Sequence, residues 1–309
     1  MNEKKKPMSN DDTTVLLDID EALSRSEKEA EERPAALVVV GGEVNGTIFN
    51  LPQGTTTVGR NPDNIIPLEF EGISRNHFKI VVTEEDSVTL EDTGSRNGTY
   101  LNNKKAEGSV SLKKGDIIKI GSMALKYLPK GDPERLTYDK LHLEANTDAL
   151  TGCYNKGYFN NKIALEVKKS KLTGSPLALI IFDLDHFKNL NDNYGHDAGD
   201  FVLRDISRVI RSNGVRDEDV FARYGGEEFV ILLPKTNLKY AFEIAERLRK
   251  LIENTEFIYE NKRLPVTASI GVADYRKGVS TGTDLFKRAD KAVYMSKEKG
   301  RNQVNFFKE

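Results

Sequence analysis

Leu179-Ile180-Ile181-Phe182-Asp183-Leu184-Asp185-His186-Phe187-Lys188-Asn189-Leu190-Asn191-Asp192 passes from an apolar run into a polar one. With Leu177 and Ala178 in front, the run has the length and composition of a buried strand that ends at Asp183. A carboxylate just past a buried strand suits a hard divalent cation, because Mg²⁺ takes oxygen ligands and shares one or two carboxylates with substrate phosphates. A second carboxylate comes from Arg223-Tyr224-Gly225-Gly226-Glu227-Glu228-Phe229. Its paired glycines predict a hairpin turn that lets a substrate approach the backbone, with Glu227 at the tip.

Around these two segments helical and strand patterns alternate. Helices are expected around Lys156–Lys171, Gly199–Ser212, Leu238–Asn254 and Thr283–Lys299. Strands are expected at Leu177–Phe182, Val220–Arg223, Phe229–Leu233 and Val266–Val272, so residues 148–309 read as an α/β or α+β layered domain. Upstream, Pro129-Lys130-Gly131-Asp132-Pro133 breaks the pattern, and Leu136, Lys140 and Leu143 then fall at helical spacing, giving a linker with a short helix over 129–147. Residues 35–128 carry short β-branched runs between Gly-, Asn- and Pro-bearing turns and read as an all-β sandwich. Residues 1–33 hold ten acidic and six basic side chains with few apolar ones, the composition of a mobile tail over 1–34.

A chain of 309 residues and 34.6 kDa is too long for one ordinary core, and 38% hydrophobic against 30% charged residues excludes wholesale disorder. A net charge of −2 supplies no general field for nucleic acid or an anionic membrane, so any anion site must be local. The longest apolar stretches fall far short of the roughly 20 residues a spanning helix needs. A charged N-terminus without an apolar signal core, and the single Cys153, point to a reducing cytoplasm.

Three polar clusters punctuate the sandwich: Gly59-Arg60, Ser74-Arg75-Asn76-His77, and Thr93-Gly94-Ser95-Arg96-Asn97-Gly98-Thr99. A phosphate needs an Arg fork plus hydroxyl or amide donors on a rigid frame, and Arg60, Ser74 and Arg75 are that inventory. The order and spacing resemble the forkhead-associated (FHA) domain. The resemblance implies that Arg60 and Ser74 hold a phosphothreonine, Arg75 assists, Asn97 contacts the peptide backbone and His77 supports the loop. Arg96 stands where such domains often carry a small hydroxyl residue. The peptide belongs to a partner protein or to the tail itself, where Thr13 and Thr14 precede Val15-Leu16-Leu17. Tethering would give that tail a high effective concentration.

In the C-terminal segment, Asp148-Ala149-Leu150-Thr151-Gly152, Phe182-Asp183-Leu184-Asp185-His186-Phe187-Lys188, Asn191-Asp192, Gly195-His196-Asp197, Gly199-Asp200, Gly225-Gly226-Glu227-Glu228-Phe229 and Gly300-Arg301-Asn302 follow one another. That succession resembles the GGDEF-type diguanylate cyclases, in the GGEEF variant, whose nucleotidyl-cyclase fold has a polymerase-palm core. The resemblance implies condensation of two GTP into cyclic di-GMP and two pyrophosphates. Asp183 and Glu227, with the Leu184 carbonyl, would hold Mg²⁺ or Mn²⁺; Glu227 either deprotonates the attacking hydroxyl or leaves that to the metal, and Glu228 is a further catalytic acid. Asn191 and Asp200 would read guanine, and Lys188, Lys297 and Arg301 the phosphates. Lys297 and Arg301 are expected four residues apart on one face of the last helix. Arg216 and Asp219, joined by Arg247, match the product-inhibition site.

Each such domain holds one GTP, so a homodimer is implied, with the linker helix as its lever. The alternative to the enzyme is a catalytically idle cyclic di-GMP receptor coupled to phosphoprotein binding. Basic surfaces with stacked aromatics are absent from the pattern, which argues against nucleic acid as a partner.

Overall fold

The computed structural model describes residues 32–41, 46–216, 218–275 and 279–307. Thr13 and Thr14, with nearly all of the 1–34 tail, lie outside the described residues. The chain divides into two compact units, Met1–Leu143 and Glu144–Glu309.

The first unit is built from β1 (Ala36–Gly41), β2 (Ile48–Asn50), β3 (Gly54–Gly59), β4 (Ile66–Pro67), β5 (Phe78–Val82), β6 (Val88–Asp92), β7 (Tyr100–Leu101), β8 (Lys104–Lys105), β9 (Ser109–Ser111), β10 (Ile117–Ile120) and β11 (Met123–Leu128). They form two sheets, ordered β2-β1-β11-β10-β7-β8 and β4-β3-β5-β6-β9. Alternation along each strand sends one set of side chains inward, as in β5, where Phe78, Ile80 and Val82 are buried and Lys79 and Val81 less so. Leu37, Ile118 and Leu125 from one sheet and Val58, Phe78 and Leu90 from the other share a single core. The sandwich thus leaves its connecting loops free to carry chemistry.

Helix α1 (Glu134–Asn146) follows. Asp132 starts it by accepting from the Glu134 amide at 2.9 Å, with Pro133 pre-set for the first turn. It buries no residue, and Leu136 and Leu141 are exposed.

The second unit runs α2 (Lys156–Thr173), β12 (Leu177–Leu184), α3 (Phe187–Tyr194), α4 (His196–Asn213), β13 (Val220–Gly225), β14 (Glu228–Pro234), α5 (Leu238–Asn254), β15 (Phe257–Tyr259), β16 (Lys262–Leu264), β17 (Ala268–Asp274), α6 (Gly282–Glu298) and β18 (Val304–Phe306). Its main sheet has the order β13-β14-β12-β17-β18, antiparallel except for the β17–β18 pair. All eight residues of the central β12 are buried because helices cover both faces. Ala178, Ile180 and Phe182 pack with α3, α4 and α5, whereas Leu177, Leu179 and Ile181 pack with α2 and α6. The end of β12 is therefore held from every side.

Two expectations need correction. The polar run after Phe187 forms a helix where none was expected, because Phe187 and Leu190 fall three apart and bury together. Helix α6 ends at Glu298, so Arg301 does not share a helix face with Lys297; it lies beyond the end with φ 65°.

Among the described residues no helix is long and apolar enough to cross a membrane.

Candidate active site and phosphate-binding loops

Strand pairing brings the acids together. In the β12–β14 register Asp183 faces Glu228, and the Leu184 amide approaches the Glu227 carbonyl at 3.4 Å. Gly226, with φ 52°, turns the hairpin, and Glu227 stands between it and β14. Burial pushes the Asp183 carboxyl up; Lys297, 2.8 Å away, opposes this, and the charges of Glu227 and Asp185 add to it. Burial and the neighbouring Asp183 likewise raise Glu228. A cation placed among these oxygens would relieve both desolvation and mutual repulsion. No group of three or more His, Cys, Asp or Glu side chains is poised for a metal among the described residues. Two carboxylates completed by carbonyl, water and substrate oxygens is the pattern Mg²⁺ uses, so the donor set fits it.

The hairpin is braced from outside. Arg223 donates through Nε to the Gly226 carbonyl at 2.8 Å and through a terminal nitrogen to Asp148 at 3.1 Å. Burial pushes the Asp148 carboxyl up, but the Thr151 hydroxyl and amide and then Arg223 outweigh it and hold Asp148 below the usual carboxylate range.

Asn191 lies on α3, and Asp200 follows Gly199 near the start of α4. The Asn191 Oδ1 is buried and has no hydrogen-bond partner. Gly199 makes room for it: a Cβ there would lie 1.9 Å from that oxygen. An unpaired buried acceptor costs about 1–3 kcal/mol, which a donor edge such as guanine N1–H and its amine would recover.

Of the cations, Lys297 pairs with Asp183, while Lys188 and Arg301 are exposed. Gly300, Arg301 and Asn302 all have positive φ, at 110°, 65° and 43°. The left-handed region costs a non-glycine residue about 1–2 kcal/mol. Asp185, only 7% exposed, accepts from Thr267 Oγ1, Ser269 Oγ and the Asn302 amide at 2.7, 2.6 and 3.0 Å. Nothing in the sequence separates this buried carboxylate from an ordinary surface acid, and sequence reasoning gave it no role.

Elsewhere in the domain, Arg216, Asp219 and Arg247 line one cavity of about 580 Å³ with Thr236 and Tyr240. Arg216 is already folded onto Asp219, with Nε to Oδ2 at 3.2 Å and a terminal nitrogen to Oδ1 at 2.9 Å, and it also reaches Thr236 Oγ1 at 3.0 Å. Asp217 lies outside the described residues. Arg247 donates to the Gly214 carbonyl at 3.3 Å.

In the sandwich, Arg60 follows Gly59, where a Cβ would stand 2.3 Å from the Arg75 carbonyl oxygen; only glycine lets the two loops close. The Arg60 amide donates to the Ser74 carbonyl at 2.8 Å, so Arg60, Ser74 and Arg75 are brought together with both guanidiniums exposed. Ser74 Oγ accepts from the Arg96 amide at 2.9 Å, and Asn97 Nδ2 donates to the Gly72 carbonyl at 2.8 Å. His77 is fully buried; its Nδ1 accepts from the Ser74 amide, which leaves the proton on Nε2 facing the Gly98 carbonyl at 3.3 Å. Burial lowers its pKa. Asp92, which sequence reasoning also missed, ties the next loop by accepting from Gly94, Ser95 and Thr99. Burial alone would raise it, but the Ser95 and Thr99 hydroxyls and two amides outweigh that and hold it at about 2.

The family model for the diguanylate cyclase GGDEF domain matches residues 145–303, and that for the FHA domain matches residues 56–121. The chain belongs to the GGDEF diguanylate cyclase family and carries an FHA domain ahead of it. Diguanylate cyclase A of Treponema denticola is 40% identical over 165 residues, 52% of this chain and 44% of that protein. Response regulator PleD of Caulobacter vibrioides is 44% identical over 162 residues, 52% of this chain and 36% of that one. The chain thus matches less than half the length of these curated relatives. Among solved structures, the coiled coil and GGDEF domain of DgcB from Caulobacter crescentus in complex with c-di-GMP aligns at 29% identity with a TM-score of 0.52, covering 56% of this chain and 91% of that one.

Proposed function

We propose that this chain is a diguanylate cyclase that condenses two GTP into cyclic di-GMP. Each ribose 3′-oxygen attacks the α-phosphorus of the other nucleotide, its proton leaves, and the bond to pyrophosphate breaks, twice per product. The observation that carries the reading is the buried, unpartnered Oδ1 of Asn191 against Gly199, one residue before Asp200, two acceptors suited to guanine in the same domain as the acids Asp183, Glu227 and Glu228 at the end of β12 and its hairpin. Asp183 and Glu227, with the Leu184 carbonyl, would hold Mg²⁺ or Mn²⁺, whose chemistry is to acidify the hydroxyl and neutralise phosphate charge. Lys188, Lys297 and Arg301 hold the triphosphate; Lys297 exchanges its bond to Asp183 for phosphate oxygens. Glu227 stands where the hydroxyl proton is lost, and Glu228 keeps the local field negative.

Two half-sites must meet, so the working species is a homodimer, and the exposed Leu136 and Leu141 of α1 offer apolar surface for it. The cavity of Arg216, Asp219 and Arg247 takes the product: Arg216 would fork onto a guanine or phosphate and Asp219 accept from a guanine edge. The exposed Arg60 and Arg75 over Ser74 support phosphothreonine reading, of a partner protein or of the chain's own tail.

The test is the full-length protein with GTP and Mg²⁺, with and without a tail peptide phosphorylated on Thr14. Cyclic di-GMP is expected, reduced by about 10³-fold or more in Glu227→Ala. Inhibition by added product is expected to vanish in Arg216→Ala. No product from the unaltered protein, with cyclic di-GMP still bound, would make it a receptor instead.

A further inference from the structure

The turn after α6 carries the phosphate cation of the preceding reading, and its backbone is enforced from outside. Arg301 and Asn302 both take left-handed φ, which Arg disfavours and Asn tolerates better than most non-glycine residues. Asn302 is gripped at three atoms. Its amide donates to Asp185 Oδ2 at 3.0 Å, its Oδ1 accepts from Arg249 at 2.9 Å, and its Nδ2 donates to Glu253 Oε1 at 2.7 Å. Arg249 and Glu253 are themselves paired on α5 at 2.8 Å.

Ending the helix does not require this clamp. The Arg301 amide already reaches back to the Ser296 carbonyl at 3.0 Å, and the Lys299 amide to Met295. Nor is Asp185 an idle acid: it is buried, its remaining bonds go to Thr267 and Ser269 on and beside β17, and its own amide is bound by the Thr267 carbonyl at 2.9 Å. It stands two residues beyond Asp183 on the same strand end. The strand end with the catalytic carboxylate and the turn with Arg301 are therefore one hydrogen-bonded body.

We propose that Asp185 and Asn302 are positioning residues for the nucleotide triphosphate, holding Arg301 in the left-handed backbone that fixes its register to Asp183. The assignment rests on the reading of Arg301 as a phosphate contact. It predicts that loosening the clamp weakens phosphate recognition and leaves guanine recognition intact, because Asn191 and Asp200 belong to other elements.

The test measures binding of α,β-methylene-GTP, which cannot be cleaved at the reacting bond, and of GMP to full-length protein with Mg²⁺. Arg301→Ala is expected to weaken the triphosphate roughly 10-fold or more, the scale of a charge-assisted bond, and GMP little. Asn302→Ala and Asp185→Asn are expected to reproduce that selective loss, and Asn302→Ala should add little on top of Arg301→Ala. Asn302→Gly, which takes left-handed φ without strain but lacks the two side-chain bonds, is expected to lose as much as Asn302→Ala. If Arg301→Ala binds both ligands like the parent, the reading of Arg301 fails and the proposal with it. If Arg301→Ala loses the triphosphate but Asn302→Ala keeps it, or the Gly variant binds it like the parent, the proposal alone is overturned. Should Asp185→Asn lower thermal stability, the two Asn302 variants, which leave the bonds of Asp185 to Thr267 and Ser269 in place, decide the matter.

Discussion

The loop end of the FHA sandwich and the acidic strand end of the cyclase domain are organised in opposite ways. In the sandwich loops the polar groups are already paired with one another: Ser74 with Arg96, Asn97 with Gly72, His77 with Ser74 and Gly98, and Asp92 with three residues of the next loop. What faces solvent is charge, on Arg60 and Arg75. In the cyclase domain, Asn191 Oδ1 has no partner, and burial and crowding hold Asp183 and Glu228 above their ordinary range. On the proposed function, the sandwich would add an anion to a finished frame, whereas the cyclase site would be completed by its ligand.

The contrast can be broken most directly at Arg60. Arg60→Ala is expected to weaken a phosphothreonine peptide roughly 10- to 100-fold, one charge-assisted contact, with the melting temperature unchanged. A comparable loss of stability, read by calorimetry beside a peptide titration, would show that the guanidinium is part of the frame. Asp92 is the reverse case. Its folded pKa of about 2 lies below the ordinary 3.8, so the stability it contributes is fully present above about pH 4 and is lost as pH falls through 2. Allowing for partial exposure, Asp92→Asn should cost about 1–2 kcal/mol at neutral pH and flatten the acid dependence of the first domain's urea midpoint between pH 4 and 2. An unaltered acid profile would mean that the carboxylate does not organise the loop. The smallest effect, of opposite sign, belongs to the cyclase domain: Asn191→Leu removes an unpaired buried acceptor and should raise stability by about 1 kcal/mol while GTP binding falls. A lower unfolding temperature there would show that the acceptor is satisfied without ligand, and the two ends would no longer differ.

Much of this was legible in the residue order. The alternation in β5, the uninterrupted apolar β12 and the glycine pair of the hairpin each follow from local chemistry, and the polar clusters mark the loops that carry Arg60, Ser74 and Asn97. The rest depends on contacts remote in sequence. Asp92 and Asp185 read as surface acids until their loops close around them, since burial is not a property of the residue. Helix α3 is rich in Asn and Asp, which disfavour helix interiors, and forms because Phe187 and Leu190 find a core. The displacement of Arg301 from the last helix turns on three successive positive φ values that the motif Gly300-Arg301-Asn302 signals only at its glycine.

Asp148, bound to Arg223, which in turn holds the Gly226 carbonyl, stands near the start of the cyclase domain. The chain therefore enters this domain at the brace of its glycine hairpin. Whatever precedes residue 148 is joined to the chain one side chain away from that turn, so a displacement there would reach the hairpin through Arg223.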